Sequence, residues 1–165
     1  RAETKAIPAR KGTPRNRTHN NIAFWESKEL RTWKRTGAFT HGDRDSAHEC
    51  PELFELNVEG KPDETRWILY GAQNRYFIGE FDGKTFHADS GPHGAPREPQ
   101  KVGPAGGRGT MYAAQTFSDS PDGRRIQMGW VRTAPALQSY PDQIVSQSMS
   151  LPHEFILRET DLGLR

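Results

Sequence analysis

Leu53-Phe54-Glu55-Leu56-Asn57-Val58, a turn at Gly60-Lys61-Pro62-Asp63, and Trp67-Ile68-Leu69-Tyr70 follow one another in one stretch of the chain. A short link over residues 71–74 then leads to Tyr76-Phe77-Ile78-Gly79-Glu80-Phe81, Asp82-Gly83 and Thr85-Phe86-His87. Each run is of strand length, rich in aromatic and β-branched side chains, and bounded by turn chemistry, with Asp-Gly a strong hairpin signal. Four such strands joined by such short connections form an antiparallel meander.

A second meander can be drawn downstream, over residues 111–117, 125–131, 144–151 and 154–158, with Pro121-Asp122-Gly123 in its first turn. Upstream, Ile22-Ala23-Phe24-Trp25 and a run from Trp33 to Phe39 read as two strands. Residues 88–110 carry Gly91, Gly94, Gly103, Gly106, Gly107 and Gly109, and read as one long loop without phosphate-loop spacing. Two successive four-stranded units preceded by a half unit suggest radial repetition: an all-β partial β-propeller of about two and a half blades. On pattern alone, a sandwich or another antiparallel sheet stays open.

Composition agrees with this reading. Hydrophobic content is 33%, aromatic content 10%, and the 165 residues include 16 Gly and 12 Pro, a balance suited to short strands and tight turns. The formal net charge of +2 is small and both signs are interspersed, so neither nucleic acid nor an anionic membrane is expected as a partner. No apolar run has the length of a membrane span. The single cysteine, Cys50, excludes an internal disulfide framework. Residues 1–20, basic and without hydrophobic periodicity, read as a flexible arm or severed segment, and residues 21–165 as the folded domain. A nucleic-acid-binding tail is the sharper reading of that arm, but it lacks interleaved aromatics.

Chemistry concentrates at His48-Glu49-Cys50-Pro51-Glu52. Glu49 lies on the last loop residues before a strand, where the strand fixes it and the loop leaves it open to a ligand. In a propeller the first strand of each blade lines the channel, and the loops entering those strands ring the mouth. Glu49 enters one such strand and Tyr112 the next, so both are expected at one pocket. His41, Asp43, Asp45 and His48 form a cluster whose spacing matches no zinc or EF-hand pattern, and no metal or other cofactor is expected. Cys50 is expected as a small buried residue behind Glu49. The four tryptophans, Trp25, Trp33, Trp67 and Trp130, are expected to pack between sheets.

These motifs resemble glycoside hydrolase family 32, the family of invertases, levanases and inulinases. The resemblance rests on Glu49-Cys50-Pro51-Glu52-Leu53-Phe54, Tyr76-Phe77-Ile78-Gly79-Glu80-Phe81-Asp82-Gly83, Tyr112-Ala113-Ala114-Gln115-Thr116-Phe117 and Arg125-Ile126-Gln127-Met128-Gly129-Trp130, in that order. Ser27 to Trp33 and Ser150-Leu151-Pro152-His153-Glu154 extend it over residues 21–165. It implies a five-bladed propeller that cleaves terminal β-fructofuranosyl bonds of sucrose or fructans with retention. On this resemblance Glu49 is the acid/base, Tyr112 is a sugar contact, and Asp89 of Asp89-Ser90-Gly91 is a substrate contact at the pocket rim.

The family's nucleophile is the Asp of an Asn-Asp-Pro motif, and no Asn-Asp pair occurs in this chain. Arg44-Asp45-Ser46 imitates the family's Arg-Asp-Pro but lacks the proline and lies too close to Glu49 for a separate inner strand. The sequence therefore reads as an interior piece of a hydrolase, inactive alone. The alternative is a non-catalytic carbohydrate-binding or structural propeller relic. A furanosidase acting on arabinose or xylose polymers fits the motifs less well. Export suits such substrates, although no signal segment is visible; localisation, oligomeric state and the choice among sucrose, levan and inulin are not legible.

Overall fold

Trp67-Ile68-Leu69-Tyr70 leaves no polar face for solvent, so the sheet that carries it has to be covered on both sides. The computed structural model describes residues 20–41, 49–72, 74–94, 111–131 and 148–165, and all regular structure among them is strand. β3 (Glu52–Val58), β4 (Lys61–Gly71), β5 (Arg75–Phe81) and β6 (Phe86–His93) form the expected meander in sequence order. Its register stacks like residues across the sheet, with Phe54, Ile68 and Ile78 in one row and Leu53, Leu69 and Phe77 in the next. Because side chains alternate faces along a strand, these rows point to opposite sides.

Each face has its own cover. The row of Leu53, Leu69 and Phe77, with Trp67, Phe81 and Phe86, meets Ile22, Phe24 and Phe39 of the hairpin β1 (Asn20–Glu26) and β2 (Lys34–His41). Phe39 contributes edge-on ring contacts to Phe77 and Phe86, both at 5.1 Å between centroids. The opposite row, with Val58 and Tyr70, packs against Ala114 and Met111 of β7 (Met111–Phe117), Phe155 and Leu157. A four-stranded sheet held between a sheet on either side is the arrangement of a blade among blades, unlike a sandwich, whose outer faces meet water.

The second unit departs from the expected meander. β8 (Arg125–Val131) pairs with β7 on one side and, on the other, with both β9 (Ser148–Met149) and β10 (His153–Phe155). β9 and β10 are thus two pieces of one outer strand. Pro152 lacks an amide donor, so the ladder breaks there, and Ser150 keeps the break attached: its N–H donates to the Gly129 carbonyl at 2.8 Å and its hydroxyl accepts the Gly129 N–H at 3.0 Å. The chain then leaves the sheet, and the Glu59 N–H donates to the Leu157 carbonyl at 2.8 Å. β11 (Glu159–Thr160) and β12 (Gly163–Leu164) form a small terminal hairpin. Residues 144–147 of the expected third strand lie outside the described residues.

Two other expectations need correction. The first turn is narrower than Gly60–Asp63: Gly60 (φ 77°) makes it, and β4 already begins at Lys61. Pro62 is tolerated because it falls at a register shift, where the Asn57 side-chain amide takes its carbonyl at 2.8 Å. The long loop starts later than residue 88, since β6 carries on through Asp89, Ser90 and Gly91 to His93. Gly91 adopts φ 122°, and two register shifts in β5–β6 pairing absorb the irregularity. Residues 95–110 and the basic segment 1–19 lie outside the described residues.

Candidate active site

Pro51 ends the loop and Glu52 opens β3, so Glu49 projects from the last turn before an inner strand. Cys50, between them, has φ 46°, a left-handed backbone that a non-glycine residue adopts at a cost. That turn exposes Cys50 instead of burying it, because the chain has not yet entered the pleat that would carry a side chain inward. Burial of the part that is covered, and then the neighbouring Glu49 and Glu52 carboxylates, push the Cys50 thiol above its ordinary range, which makes it a poor nucleophile.

Tyr112 reaches the same place from β7. Its phenol donates a hydrogen bond to Oε2 of Glu49, sixty-three residues away in sequence. A β-bulge aims it: Tyr112 pairs with Trp130 and Gln115 with Met128, so Ala113 and Ala114 together oppose Gly129. Ala113 also adopts a left-handed backbone, φ 50°. Each of the two facing residues is therefore followed directly by a strained one. Gly129 has to be small, since a Cβ there would stand 2.5 Å from Cγ of Met111 and 2.8 Å from Cβ of Ala114.

The link between β4 and β5 ties the two sides together. The Ala72 N–H donates to the Glu49 carbonyl at 2.8 Å, and the Ala72 carbonyl accepts the Ala113 N–H at 3.1 Å. Asn74 donates from its side-chain amide to the Met111 carbonyl at 2.9 Å and accepts a hydrogen bond from the Tyr70 hydroxyl. Burial pushes the Tyr70 hydroxyl up to about 12, so it stays a proton donor throughout the range where such a site works.

A second connection lies beside it. The half-buried Glu52 carboxylate accepts the Thr116 N–H on both oxygens, at 2.9 and 3.0 Å, and the Thr116 hydroxyl at 3.0 Å. The Gln115 side chain donates to the Cys50 carbonyl at 3.2 Å. Burial raises the Glu52 carboxyl above the ordinary range, against the hydrogen bonds from Thr116 and the positive charge of Arg125. Arg125 itself lies 4.3 Å from the centre of the Phe54 ring. Glu52 and Thr116 were not singled out in the sequence. The available signal was their spacing, a polar residue three after Glu49 and another four after Tyr112.

The other expected residues stand apart. Asp89 is exposed on β6, three strands from β3. At about 4.8 Å per strand that is about 14 Å across the sheet. The structure does not bring it to the Glu49–Tyr112 pair. Of the tryptophans, Trp67 packs in the core, Trp25 is half-buried, and Trp33 and Trp130 are 40% and 37% exposed, so packing accounts for the first two better than for the others. Asp43, Asp45 and His48 lie outside the described residues, and His41 is buried between Phe39 and Phe77. A cavity of about 670 Å³ opens between β1–β2, β3 and β7, with Trp25, Glu52, Trp67, Gln115 and Arg125 on its walls; neither Glu49 nor Tyr112 lines it.

Comparison with known proteins gives this geometry its context. The levanase of Bacillus subtilis is 29% identical over 160 residues, which cover 88% of this chain and 23% of that protein. The invertase of Wickerhamomyces anomalus is 30% identical over 157 residues, covering 86% of this chain and 27% of that protein. The chain thus spans about a quarter of the length of these relatives. Among solved structures, the exo-inulinase of Aspergillus awamori superposes with a TM-score of 0.63 at 22% identity, over 88% of this chain and 30% of that one. The fructofuranosidase of Schwanniomyces occidentalis complexed with fructosylnystose superposes with a TM-score of 0.61 at 22% identity, over 88% of this chain and 29% of that one. These likenesses establish the fold as part of a β-propeller. Residues 10–164 match the glycosyl hydrolases family 32 N-terminal domain, and the chain belongs to that family.

Proposed function

We propose that this chain supplies the acid/base half of a retaining β-fructofuranosidase, with Glu49 as the proton donor and acceptor. The observation that supports it is the hydrogen bond from Tyr112 to Glu49, which joins the start of one inner strand to the turn that leads into the other. The neighbours named as levanase, invertase and inulinase, and the fructosyl oligosaccharide held by one solved relative, support a carbohydrate whose terminal unit is β-fructofuranosyl. Sucrose and fructans both carry one.

In this reaction Glu49 protonates the glycosidic oxygen as the bond to the anomeric carbon breaks, while a second carboxylate attacks that carbon from the opposite face. Glu49, now ionised, then takes a proton from water, and the resulting hydroxide displaces the carboxylate from the sugar with net retention. The two carboxyl groups have to stand about 5 Å apart. Glu52 is not the second one, because Thr116 occupies both of its oxygens. No Asn-Asp pair occurs among the 165 residues, so the attacking carboxylate is assigned to sequence outside this chain. The phenol of Tyr112 fixes the orientation of the Glu49 carboxyl group and offers its ring edge to the sugar; no step draws on Asp89.

In a protein that joins this chain to the missing carboxylate, Glu49→Gln removes the proton but keeps the shape. Turnover of sucrose or levan is expected to fall by about 10²–10⁴-fold, the usual worth of a positioned acid/base, with the thermal unfolding curve unchanged. A Glu49→Gln variant that turns over at the parent rate removes Glu49 from the mechanism.

A further inference from the structure

The hydrogen bond between Tyr112 and Glu49 joins the turn before β3 to the start of β7, on a different sheet. On each side a left-handed residue directly follows the facing side chain, Cys50 in the turn and Ala113 at the bulge of β7. Left-handed backbone of this kind persists only where the surroundings determine it. The surroundings here include one carboxylate that spans the gap between the sheets: Glu52 opens β3 and receives three hydrogen bonds from Thr116 of β7, all between 2.9 and 3.0 Å. The Thr116 amide thus satisfies its hydrogen bond across the gap, through a half-buried ionisable side chain. Neighbouring Gln115 reaches back to the carbonyl of Cys50 at 3.2 Å.

We propose that Glu52 is a positioning residue, an inter-blade clamp that fixes β7 against β3 and so sets the Tyr112 phenol on the Glu49 carboxylate. Thr116 is four residues from Tyr112 and Glu52 is three from Glu49, so a slip at the clamp passes to the pair through one short segment on each side. Arg125 completes the arrangement. Its guanidinium rests against the Phe54 ring, near enough for its charge to favour the ionised Glu52 carboxylate. The inference rests on the reading of Glu49 as the acid/base for its functional meaning, but the clamp itself can be measured without turnover.

The test uses the 165-residue chain labelled with ¹³C at Cζ of its four tyrosines, since that carbon reports the hydrogen bonding of the phenol. The Tyr112 signal is assigned by its loss in Tyr112→Phe. Glu49→Gln then gives the reference displacement for a phenol that has lost its carboxylate acceptor. Glu52→Ala is expected to move the Tyr112 signal in the same direction, and Thr116→Val, which removes the hydroxyl but leaves the amide, to move it less. The signal of Tyr76, on β5 and packed against His93 with ring centres 5.2 Å apart, stays at its native position in variants that retain the fold. Should Glu52→Ala lose the Tyr76 position, Thr116→Val decides alone. A Tyr112 signal that stays in place in a folded variant of either kind overturns the clamp. If Glu49→Gln itself leaves Tyr112 unmoved, the pair is absent, and the acid/base reading falls together with the clamp.

Discussion

Glu49 and Tyr112 are held face to face by backbone that neither residue chooses. A left-handed conformation costs a non-glycine residue roughly 1–2 kcal/mol, and both Cys50 and Ala113 adopt it. Strain of this kind at two facing positions suits a site whose geometry has to be fixed before substrate arrives. Tyr112→Phe deletes the hydrogen bond that orients Glu49, worth about 0.5–1.5 kcal/mol, so kcat in the active protein is expected to drop about 2- to 10-fold, read from initial rates on sucrose. A smaller effect on KM than on kcat would mark the phenol as orienting Glu49 more than binding sugar. Glu52 makes a different, pH-dependent prediction. Its carboxyl is raised in the folded chain, chiefly by burial, so the folded state holds that proton more tightly than the unfolded one. The contribution of Glu52 to stability is therefore complete below the ordinary glutamate range and is lost as pH rises through its raised value. The advantage of wild type over Glu52→Gln, from denaturant midpoints at about pH 4 and about pH 7, should shrink with rising pH. An advantage that grows would contradict the burial argument.

At the scale of elements, the alternating and continuous apolar runs identify β3, β4 and β5 nearly to their ends, because aromatic and aliphatic residues at strand spacing have few other ways to be buried. β6 is harder to read. Asp89-Ser90-Gly91-Pro92 has the composition of a turn, and it continues as strand only because β5 accepts two register shifts beside it. The outer strand of the next unit is misread for a related reason: Pro152 breaks it into β9 and β10, and only the Ser150 bridge to Gly129 shows that both belong to one ladder. The site divides in the same way. Glu49 before β3 and Tyr112 at the start of β7 are legible from their places at the entry to inner strands, whereas Glu52, Thr116 and Asn74 act through contacts between units that no local pattern encodes. Gly129 tests the bulge. Gly129→Ala places a Cβ against Met111 and Ala114, and overpacking of that order costs about 1–3 kcal/mol, seen as a lower denaturant midpoint with an unchanged slope. Leu69→Ala, which opens a cavity in the middle row of the blade where Leu69 is fully buried, should cost about 2–5 kcal/mol by the same measurement. A loss below about 1 kcal/mol would mean that β1–β2 does not cover that face as described.

For the molecule as a whole, the proposed reaction takes one of its two carboxylic acids from this chain. The 165-residue polypeptide by itself is accordingly expected to release no fructose from sucrose or levan, and measurable release would refute the assignment of the nucleophile to sequence outside it. The most direct test of the central claim, that Glu49 is the acid/base, is leaving-group dependence in a protein that joins this chain to the missing carboxylate. Glu49→Ala, assayed on sucrose and on a fructosyl substrate with an acidic phenol or fluoride as leaving group, separates protonation from every other role. The expected result is a fall of about 10²–10⁴-fold on sucrose, a much smaller one where the leaving group departs without a proton, and recovery by azide with formation of β-fructosyl azide. Equal losses on both substrates, without recovery by azide, would contradict it.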